Sequence, residues 1–335
     1  MRYVEAAGLR VSKVGLGAWQ FGSSEWGYGR HYAEAVAPAI VRRSLEAGVN
    51  LVDTAELYGF GRSERIVGRA LGDRRDEWVV ATKLFPVVPV DPVVRQRARA
   101  SLRRLGTDRV DLYQLHWPNP VVPLGATMAA LGRLQADGLI RHVGVSNFSL
   151  EQWRAAEAAL GAPVVTNQVR YSLLDRRPEA ELVPHAAAGD RIVVAYSPLG
   201  QGLLSGRYDE EHRPGGWRGR TPAFLTENLR RLRPLLDVMR QVAAAHDATC
   251  AQVALAWLVR QPNVVVIPGA ASVDQAVANA EAADLELSDD EDAALRAASG
   301  AYRPVTGPAA LLPMAAERAA RVASRVRTAA RALRS

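Results

Sequence analysis

The 335-residue chain has very little cysteine, almost no lysine and no long apolar run. Its single cysteine, Cys250, cannot form an internal disulfide, which suits a reducing compartment. No stretch of about 18 uncharged apolar residues is present, which excludes a membrane-spanning helix. The first residues, Met1 to Glu5, are not followed by the apolar segment of a secretory signal. We therefore expect a cytoplasmic protein.

Lysine is scarce even though basic residues are common. Only Lys13 and Lys83 are lysines among 42 basic residues, and the other basic residues are arginines. A bias of this kind is typical of a GC-rich genome. A lysine that persists against the bias is a better candidate than usual for a chemical role.

Several catalytic and nucleotide-binding motifs are also absent. Gly15-Leu16-Gly17 and Gly59-Phe60-Gly61 lack the third glycine of the dinucleotide-binding fingerprint. The chain has no phosphate-binding P-loop, no Gly-x-Ser-x-Gly elbow and no His-Glu-x-x-His motif. These absences argue against metal, nucleoside-triphosphate and serine-hydrolase chemistry, and no metal ligand is predicted. The histidines without a predicted role, interpreted as surface or core residues, are His31, His142, His185, His212 and His246.

Short apolar segments alternate with longer amphipathic ones along the chain. The predicted strands are Val14–Ala18, Asn50–Asp53, Trp78–Thr82, Val110–Leu115, Ile140–Val145, Val164–Gln168, Ile192–Tyr196 and Val264–Ile267. The predicted helices between them include Ala33–Ala47, Pro92–Leu105, Gly125–Ala136, Leu150–Leu160, Pro178–Ala188 and Ser272–Ala283. Strands that alternate with helices indicate parallel pairing through right-handed crossovers. Because the strand ends recur at roughly thirty-residue intervals, the pattern favours one (β/α)8 TIM barrel over two doubly wound domains.

Three features depart from eight plain repeats. Residues 1–13 predict a hairpin that turns at Ala7-Gly8 and plugs the barrel. Residues 199–226, rich in glycine and arginine, predict a long loop after the seventh strand. Two extra helices, Glu227–Ala245 and Thr249–Arg260, are predicted before the eighth strand.

The positive charge of the chain, +7 at pH 7, is concentrated at the C-terminal end. Residues 309–335 contain six arginines and one acid, Glu317, for a net of +5. We therefore divide the chain into a barrel, residues 1–308, and an Arg-rich helical C-terminal extension. Since the barrel is nearly neutral, no nucleic-acid binding is expected. We expect the extension to pack on the barrel or to support a homo-oligomer. The alternative is an acidic protein or membrane surface as partner.

Polar residues follow three neighbouring predicted strands. Asp53 ends the second strand and Tyr58 follows it, while Lys83 follows the third strand and His116 the fourth. In a barrel, side chains at the carboxyl ends of the strands meet at one mouth, so these four are expected to converge. A tyrosine with a pKa near ~10 donates protons poorly at neutral pH. A neighbouring ammonium lowers that pKa and a carboxylate holds the ammonium, so the group can protonate a carbonyl oxygen while hydride reaches the carbon.

The chain resembles the aldo-keto reductases over residues 10–285. The segments that carry the resemblance are Val14–Trp19, Asp53–Gly59, Ser63-Glu64, Leu71-Gly72, Ala81–Lys83, Asp111–His116, Gly144–Phe148, Asn167-Gln168, Tyr196–Leu199 and Ile267-Pro268. The resemblance implies a barrel that uses NAD(P)H to reduce an aldehyde or ketone to an alcohol, or catalyses the reverse. It implies that Tyr58 is the general acid, that Lys83 and Asp53 tune it, and that His116 orients the substrate carbonyl.

The resemblance also implies a cofactor site. Ser146, Asn147 and Gln168 match the positions that hold the nicotinamide carboxamide, and Tyr196 matches the ring stacked beneath it. Small residues in the 199–226 loop are expected to let backbone N–H groups approach the pyrophosphate. The full set of expected cofactor-binding residues is Gly17, Trp19, Ser146, Asn147, Gln168, Tyr196, Ser197, Leu199, Gly200, Gly202, Arg207, Gly269, Gln275 and Asn279.

The segment after the eighth strand departs from the family pattern. Many aldo-keto reductases have a lysine or arginine soon after its proline, and this cation pairs with the 2′-phosphate of NADPH. Here Pro268 is followed by Gly269-Ala270-Ala271-Ser272, with no cation. The expected cofactor is therefore NADP or NAD, and Arg207 and Arg220 are candidates to replace the missing charge. We predict a preference between the cofactors of about tenfold or less.

Loop aromatics suggest an apolar or ring-shaped carbonyl substrate, although stacking against a sugar would use the same residues. The aromatics expected at the mouth are Trp19, Phe21, Trp26, Tyr28, Trp117 and Trp217. Two other functions compete with carbonyl reduction. One is a cofactor-binding regulatory subunit with negligible turnover, and the other is an isomerisation or elimination that uses bound nicotinamide without net redox change.

Overall fold

The computed structural model describes residues 1–22, 32–216 and 218–319. The strands are β1 (Tyr3–Ala6), β2 (Leu9–Ser12), β3 (Leu16–Gly17), β4 (Leu51–Asp53), β5 (Val79–Leu84), β6 (Val110–Leu115), β7 (Ile140–Ser146), β8 (Val164–Arg170), β9 (Ile192–Tyr196) and β10 (Val264–Val266). The α-helices are α1 (Trp19–Gly22), α2 (Tyr32–Glu46), α3 (Arg62–Leu71), α4 (Asp91–Leu105), α5 (Leu124–Ala136), α6 (Leu150–Leu160), α7 (Leu182–Ala188), α8 (Thr226–Ala245), α9 (Cys250–Val259), α10 (Val273–Glu281) and α11 (Asp289–Ala301).

Strands β3 to β10 form one parallel sheet whose order follows the chain. The first and last strands then meet: Gly15 N–H donates to Val266 O at 2.8 Å, and Gly17 N–H donates to Pro268 O at 3.0 Å. These bonds close the sheet, which leaves it without a free edge. The predicted (β/α)8 TIM barrel is confirmed.

The barrel strands are apolar because both of their faces are covered. All six residues of β6 are buried, as is usual for a parallel strand that lies between barrel interior and outer helices. The helices cover the outer face with their apolar sides, as α4 does with Ala98, Leu102 and Leu105. Local signals set the helix ends: α6 begins with a capping box of Ser149 and Gln152.

The N-terminal hairpin closes the end of the barrel opposite the mouth. Strands β1 and β2 pair antiparallel and are joined at Ala7 and Gly8, whose φ angles are 47° and 76°. The hairpin side chains pack into the barrel interior in a cluster that includes Val4, Leu9, Val11, Leu51, Leu112 and Val265. The predicted plug is therefore present.

Two parts of the helical prediction differ from the structure. The predicted helix 178–188 is divided into a 3-10 turn, Arg177–Glu179, and α7. Pro184 accounts for this division, because it has no N–H to donate to the carbonyl of Ala180. Helix α11 was not predicted, although Ser288 and Glu291 form a capping box at its start.

The loop after β9 has little regular structure, as predicted. It contains three short 3-10 segments, Gly200–Ser205, Arg218–Arg220 and Pro222–Phe224, and it leads into α8. No single helix within the described residues is long and apolar enough to cross a membrane.

The described part of the C-terminal extension is helical at residues 311–319. Its acid, Glu317, accepts hydrogen bonds from Thr226 N–H at 2.8 Å and from the Arg213 guanidinium at 2.6 Å. These hydrogen bonds join the start of the extension to α8 and to the loop after β9. The arginines beyond Arg318 lie outside the described residues, and the division at 308/309 stays a prediction.

Candidate active site

A cavity of about 850 Å³ opens at the carboxyl ends of the barrel strands. Lys83 lies behind its wall, with none of its surface exposed. Gly200 is buried and is not part of the lining. The other predicted site residues all line the cavity: Gly17, Trp19, Asp53, Tyr58, His116, Ser146, Asn147, Gln168, Tyr196, Ser197, Leu199, Gly202, Arg207, Gly269, Gln275 and Asn279.

Lys83 connects Asp53 to Tyr58. Its Nζ lies 2.5 Å from Asp53 Oδ1, 2.9 Å from the carbonyl oxygen of Thr54 and 3.2 Å from the Tyr58 hydroxyl. Strand register explains this meeting. Asp53 is paired with Ala81 on β5, and Lys83, two residues further along, points to the same side of the sheet. The ammonium is therefore held by a buried carboxylate and directed at the phenol.

The loop that carries Tyr58 is fixed by three further contacts. Ser63 N–H, at the start of α3, donates to Tyr58 O at 3.2 Å. The Glu56 carboxylate accepts from the Phe85 N–H at 2.5 Å and from the Arg97 guanidinium at 2.6 and 3.1 Å. Sequence reasoning did not predict this role of Glu56. The only signal was an acid placed two residues before the tyrosine.

Burial sets the protonation state of Tyr58, and the neighbouring Asp53 and Tyr58 set that of Lys83. Burial raises the pKa of Tyr58, and the opposing effect of Lys83 does not outweigh it. The expected net lowering of the tyrosine pKa is therefore wrong for this geometry. Burial alone would lower the pKa of Lys83, but Asp53 and Tyr58 raise it above its ordinary value. At neutral pH the site holds a protonated phenol beside an ammonium.

His116 completes the polar end of the cavity. Its ring stacks on Trp117 with 3.8 Å between centroids, and it meets the Tyr58 ring edge-on at 5.9 Å. Burial, with a smaller contribution from Lys83, lowers the pKa of His116 to about 2. The imidazole is therefore neutral and suited to hold a carbonyl oxygen by hydrogen bonding rather than to supply a proton as a cation.

The side chains expected to hold a carboxamide lie beside the cluster of Asp53, Lys83 and Tyr58. Ser146 Oγ donates to the carbonyl oxygen of Gln168 at 2.8 Å, and Tyr196 OH donates to Asn147 Oδ1 at 3.0 Å. Gln168 Nε2 in turn donates to Asp53 Oδ2 at 2.8 Å. One hydrogen-bonded network thus links the expected nicotinamide site to the carboxylate behind Tyr58.

The loop after β9 borders the far end of the cavity with two arginines. Arg207, which was predicted, and Arg218, which was not, both line the cavity. Arg218 donates to Gln201 O at 3.2 Å and lies over the Tyr208 ring. Arg220 is exposed and is not among the lining residues. The prediction favoured Arg220, but it is Arg218 that lines the cavity.

The turn between β10 and α10 lines the same cavity. Its conformation is fixed by side chains: Ala271 N–H donates to Gln275 Oε1 at 2.8 Å, and Gln20 Nε2 donates to Ala270 O at 3.1 Å. Gln20, which also lines the cavity, was not predicted. A side chain at Gly269 would meet Gln20, with Cβ 2.6 Å from its Oε1. The turn is thus a close-fitting wall of small residues.

The open end of the cavity is aromatic. Trp19 and Trp117 line it and are 38% and 37% exposed, and Leu57 and Phe60 lie beside them. The prediction for Phe21 is wrong, because its side chain is fully buried in the apolar core beneath α1. The remaining predicted aromatics lie outside the described residues: Trp26, Tyr28 and Trp217.

Four of the histidines without a predicted role lie within the described residues, and none of these four lines the cavity. His185 packs edge-on against Trp153, His212 contacts Asp209 on the surface, and His246 contacts Glu291. His142 is half-buried on β7, whereas His31 lies outside the described residues.

Residues 13–299 match the model of the Aldo/keto reductase family. The chain belongs to this family. It is 53% identical to an uncharacterized oxidoreductase of Mycobacterium tuberculosis over 322 residues, which cover 96% of this chain and all of that one. It is 33% identical to the NADH-specific methylglyoxal reductase of Escherichia coli, covering 86% and 94% of the two chains. A crystal structure of an aldo/keto reductase from Klebsiella pneumoniae, in complex with NADP and acetate, superposes with a TM-score of 0.71 at 32% identity, covering 90% and 95%.

Proposed function

We propose that this aldo/keto reductase reduces a small aldehyde or ketone to an alcohol with NAD(P)H, or catalyses the reverse reaction. The observation that carries the proposal is the contact of Lys83 Nζ with both Asp53 Oδ1 and the Tyr58 hydroxyl at the wall of the cavity. A fully buried lysine between an acid and a phenol costs desolvation energy that packing alone does not repay. Such an arrangement is typical of a site that moves a proton.

In this proposal Tyr58 donates its proton to the carbonyl oxygen of the substrate. The neighbouring Lys83 ammonium stabilises the phenolate that remains, and Asp53 keeps the ammonium charged and in place. Neutral His116 donates a hydrogen bond to the same carbonyl oxygen and holds it in reach of the phenol. Trp19 and Trp117 cover the apolar part of the substrate and exclude water.

The residues of the cavity fit a nicotinamide cofactor. The volume of the cavity, about 850 Å³, lies within the roughly 300–1,000 Å³ that is usual for small-molecule sites. Ser146, Asn147 and Gln168 supply amide and hydroxyl groups for a carboxamide, and the Tyr196 ring supplies a flat surface for the pyridine ring. When bound, the nicotinamide supplies the hydride for the carbonyl carbon. Support comes from the Klebsiella pneumoniae relative, whose structure contains NADP.

The proposed cofactor preference is weak. The 2′-phosphate of NADPH needs cations or N–H donors to offset its desolvation, and the turn at Gly269–Ala271 supplies no cation. Arg207 and Arg218 border the same cavity and are the proposed replacements. The Escherichia coli relative named as NADH-specific supports use of NADH as well. We propose a preference of about tenfold or less, because the charge-assisted hydrogen bond that a cation in this turn would add, worth roughly 1.5–3 kcal/mol, is missing.

Absorbance at 340 nm with a panel of aldehydes and ketones tests the proposed function, with NADH and NADPH in parallel. Steady consumption of the cofactor with matching alcohol formation is the expected result. Tight cofactor binding without turnover would instead support a regulatory subunit. A converted substrate without net change of cofactor would support isomerisation or elimination. Either of these results contradicts the proposal.

A further inference from the structure

Four residues on neighbouring strands lie in one row across the barrel interior. Lys83 on β5 is the register partner of Gln114 on β6. Gln114 is the partner of Gly144 on β7, and Gly144 is the partner of Thr166 on β8. The row thus runs from the proposed catalytic lysine to a threonine three strands away. Gln114 and Thr166 are almost fully buried.

The polar side chains in this row make a connected chain of hydrogen bonds. Thr166 Oγ1 donates to Gln114 Oε1 at 3.3 Å, and Gln114 Nε2 donates to Asp53 Oδ2 at 3.2 Å. The other oxygen of Asp53 accepts from Lys83 at 2.5 Å. The threonine therefore orients the amide, and the amide orients the carboxylate that holds the lysine.

Gly144 makes the contact between Thr166 and Gln114 possible. A Cβ at this position would overlap the Thr166 hydroxyl and lie 2.9 Å from Gln114 Cγ. The two side chains reach each other across the middle strand only because this strand has no side chain there. An apolar barrel interior would not require this combination of glycine, amide and hydroxyl.

We infer that Gln114 is a positioning residue, oriented by Thr166 across Gly144, that fixes the Asp53 carboxylate and through it the Lys83–Tyr58 pair. This inference rests on the proposed function. Two amides donate to Asp53 Oδ2, Gln168 at 2.8 Å and Gln114 at 3.2 Å. Gln168 lines the cavity and is the amide proposed to hold the cofactor, whereas Gln114 lies outside the lining. Gln114 thus acts on the carboxylate without touching cofactor or substrate.

The inference predicts that substitutions at Gln114 and Thr166 change kcat without changing cofactor binding. Gln114→Leu keeps the approximate size and removes the donor, so kcat is expected to fall about tenfold or more while the cofactor Kd stays within about twofold. Thr166→Val removes only the hydroxyl that orients the amide, and a fall of about threefold is expected. Thr166→Ser keeps the hydroxyl and is expected to retain wild-type kcat.

The pH profile gives a readout that packing would not change. The titratable groups around the Tyr58 hydroxyl are Lys83 on β5, Asp53 on β4, His116 after β6 and Tyr196 on β9. Gln114→Glu places a second carboxyl group beside Asp53, and the two share a proton at neutral pH. When that proton is lost at higher pH, the added negative charge favours the protonated form of Tyr58. The basic limb of the kcat profile is expected to shift upward by about one pH unit.

The experiment measures kcat, cofactor Kd, melting temperature and the pH profile for the wild type, Tyr58→Phe, Gln114→Leu, Gln114→Glu, Thr166→Val and Thr166→Ser. Wild-type kcat and pH profile in both Gln114 variants would overturn the inference. A lower melting temperature or weaker cofactor binding in these variants, with an unchanged pH profile, would also overturn the inference. Such a result would show that Gln114 has only a structural role. If Gln114→Leu does not fold, wild-type kcat in Thr166→Val overturns the inference.

The controls distinguish this inference from the proposed function itself. If the wild type shows no turnover, or if Tyr58→Phe keeps wild-type kcat, the proposed function fails and the positioning role of Gln114 falls with it. If the wild type turns over, Tyr58→Phe does not, and the Gln114 and Thr166 variants match the wild type, only the positioning role is refuted.

Discussion

The two ends of the cavity are built in different ways. The end around Tyr58, the proposed proton donor, is formed by the ends of strands β4 to β6, and its lysine and carboxylate are 0% and 2% exposed. The far end, around Arg207 and Arg218, is formed by the loop after β9 and the turn before α10. The first end is held by strand register, and the second by individual side-chain contacts. This difference predicts where a substitution affects chemistry and where it affects affinity.

The largest expected combined effect on stability and activity is at Lys83. Lys83→Met leaves the Asp53 carboxylate buried and without its cation, which costs about 3–5 kcal/mol of folding stability. Activity is expected to fall by about a thousandfold or more, since the group that stabilises the phenolate is lost. Melting temperature and kcat measure the two effects.

Lys13→Met is the matched control for Lys83→Met. Lys13 is the other lysine and is also buried, but its Nζ donates to the carbonyl oxygens of Gln261 and Pro262 outside the cavity lining. This variant is expected to lose some stability and to keep kcat. Equal loss of kcat in both lysine variants would contradict the special role of Lys83.

At the far end, Arg218→Ala is expected to weaken cofactor binding and leave kcat unchanged. The loss of the proposed charge-assisted hydrogen bond to the 2′-phosphate raises KM for NADPH by up to about tenfold and leaves KM for NADH nearly unchanged. Arg220→Ala is the matched control, because Arg220 is exposed and outside the lining. If both variants raise the cofactor KM equally, the assignment of Arg218 is wrong.

Ala271→Arg tests the same end by adding charge. A cation in the turn before α10 is expected to lower KM for NADPH by about tenfold and to leave KM for NADH nearly unchanged. The reason is that only NADPH carries the 2′-phosphate. The ratio of the two KM values in wild type and variant is the measurement, and a parallel change for both cofactors would refute the assignment.

The smallest expected effect concerns the contact between the C-terminal extension and α8. Burial alone would raise the pKa of Glu317, but hydrogen bonds from Arg213 and Thr226 lower this pKa to about 2. The ionised form therefore adds stability above the ordinary glutamate pKa of 4.5, and this contribution is lost as pH falls from 4.5 toward 2. Glu317→Gln is expected to lower stability at pH 7 by about 1 kcal/mol.

Melting temperature against pH measures the effect of Glu317. The difference between wild type and Glu317→Gln is expected to be present at pH 7 and to shrink below pH 4.5. A difference that is constant from pH 7 to pH 3 would show that charge on Glu317 is not its cause.

The sequence alone was sufficient to predict the positions of those candidate-site residues that strand periodicity determines. Asp53, Lys83 and His116 are placed by where three strands end, and parallel register brings those ends together. The same reasoning did not predict Gln114, because a buried amide within a strand has no signal until its partner on another strand is known. The partner, Thr166, is 52 residues away in the chain.

Outside the strands, no regular alternation along the sequence determines which way a side chain points. Arg218 and Arg220 are two residues apart in one loop, and sequence favoured Arg220, whereas Arg218 lines the cavity. Phe21 was expected at the mouth because it follows β3, but α1 turns it into the apolar core. Contacts such as those of Glu56 with Phe85 and Arg97 depend on distant elements and become visible only in the folded chain.

The central claim is that the Tyr58 hydroxyl supplies the proton in an NAD(P)H-dependent carbonyl reduction. The most direct test compares kcat of the wild type and Tyr58→Phe at 340 nm with the best carbonyl substrate, together with cofactor Kd. Because the variant removes only the phenol oxygen and its proton, kcat is expected to fall by about 10²–10⁴-fold or more, with Kd within a few-fold. A variant that keeps more than about a tenth of wild-type kcat would contradict the account, since general-acid catalysis contributes more than this.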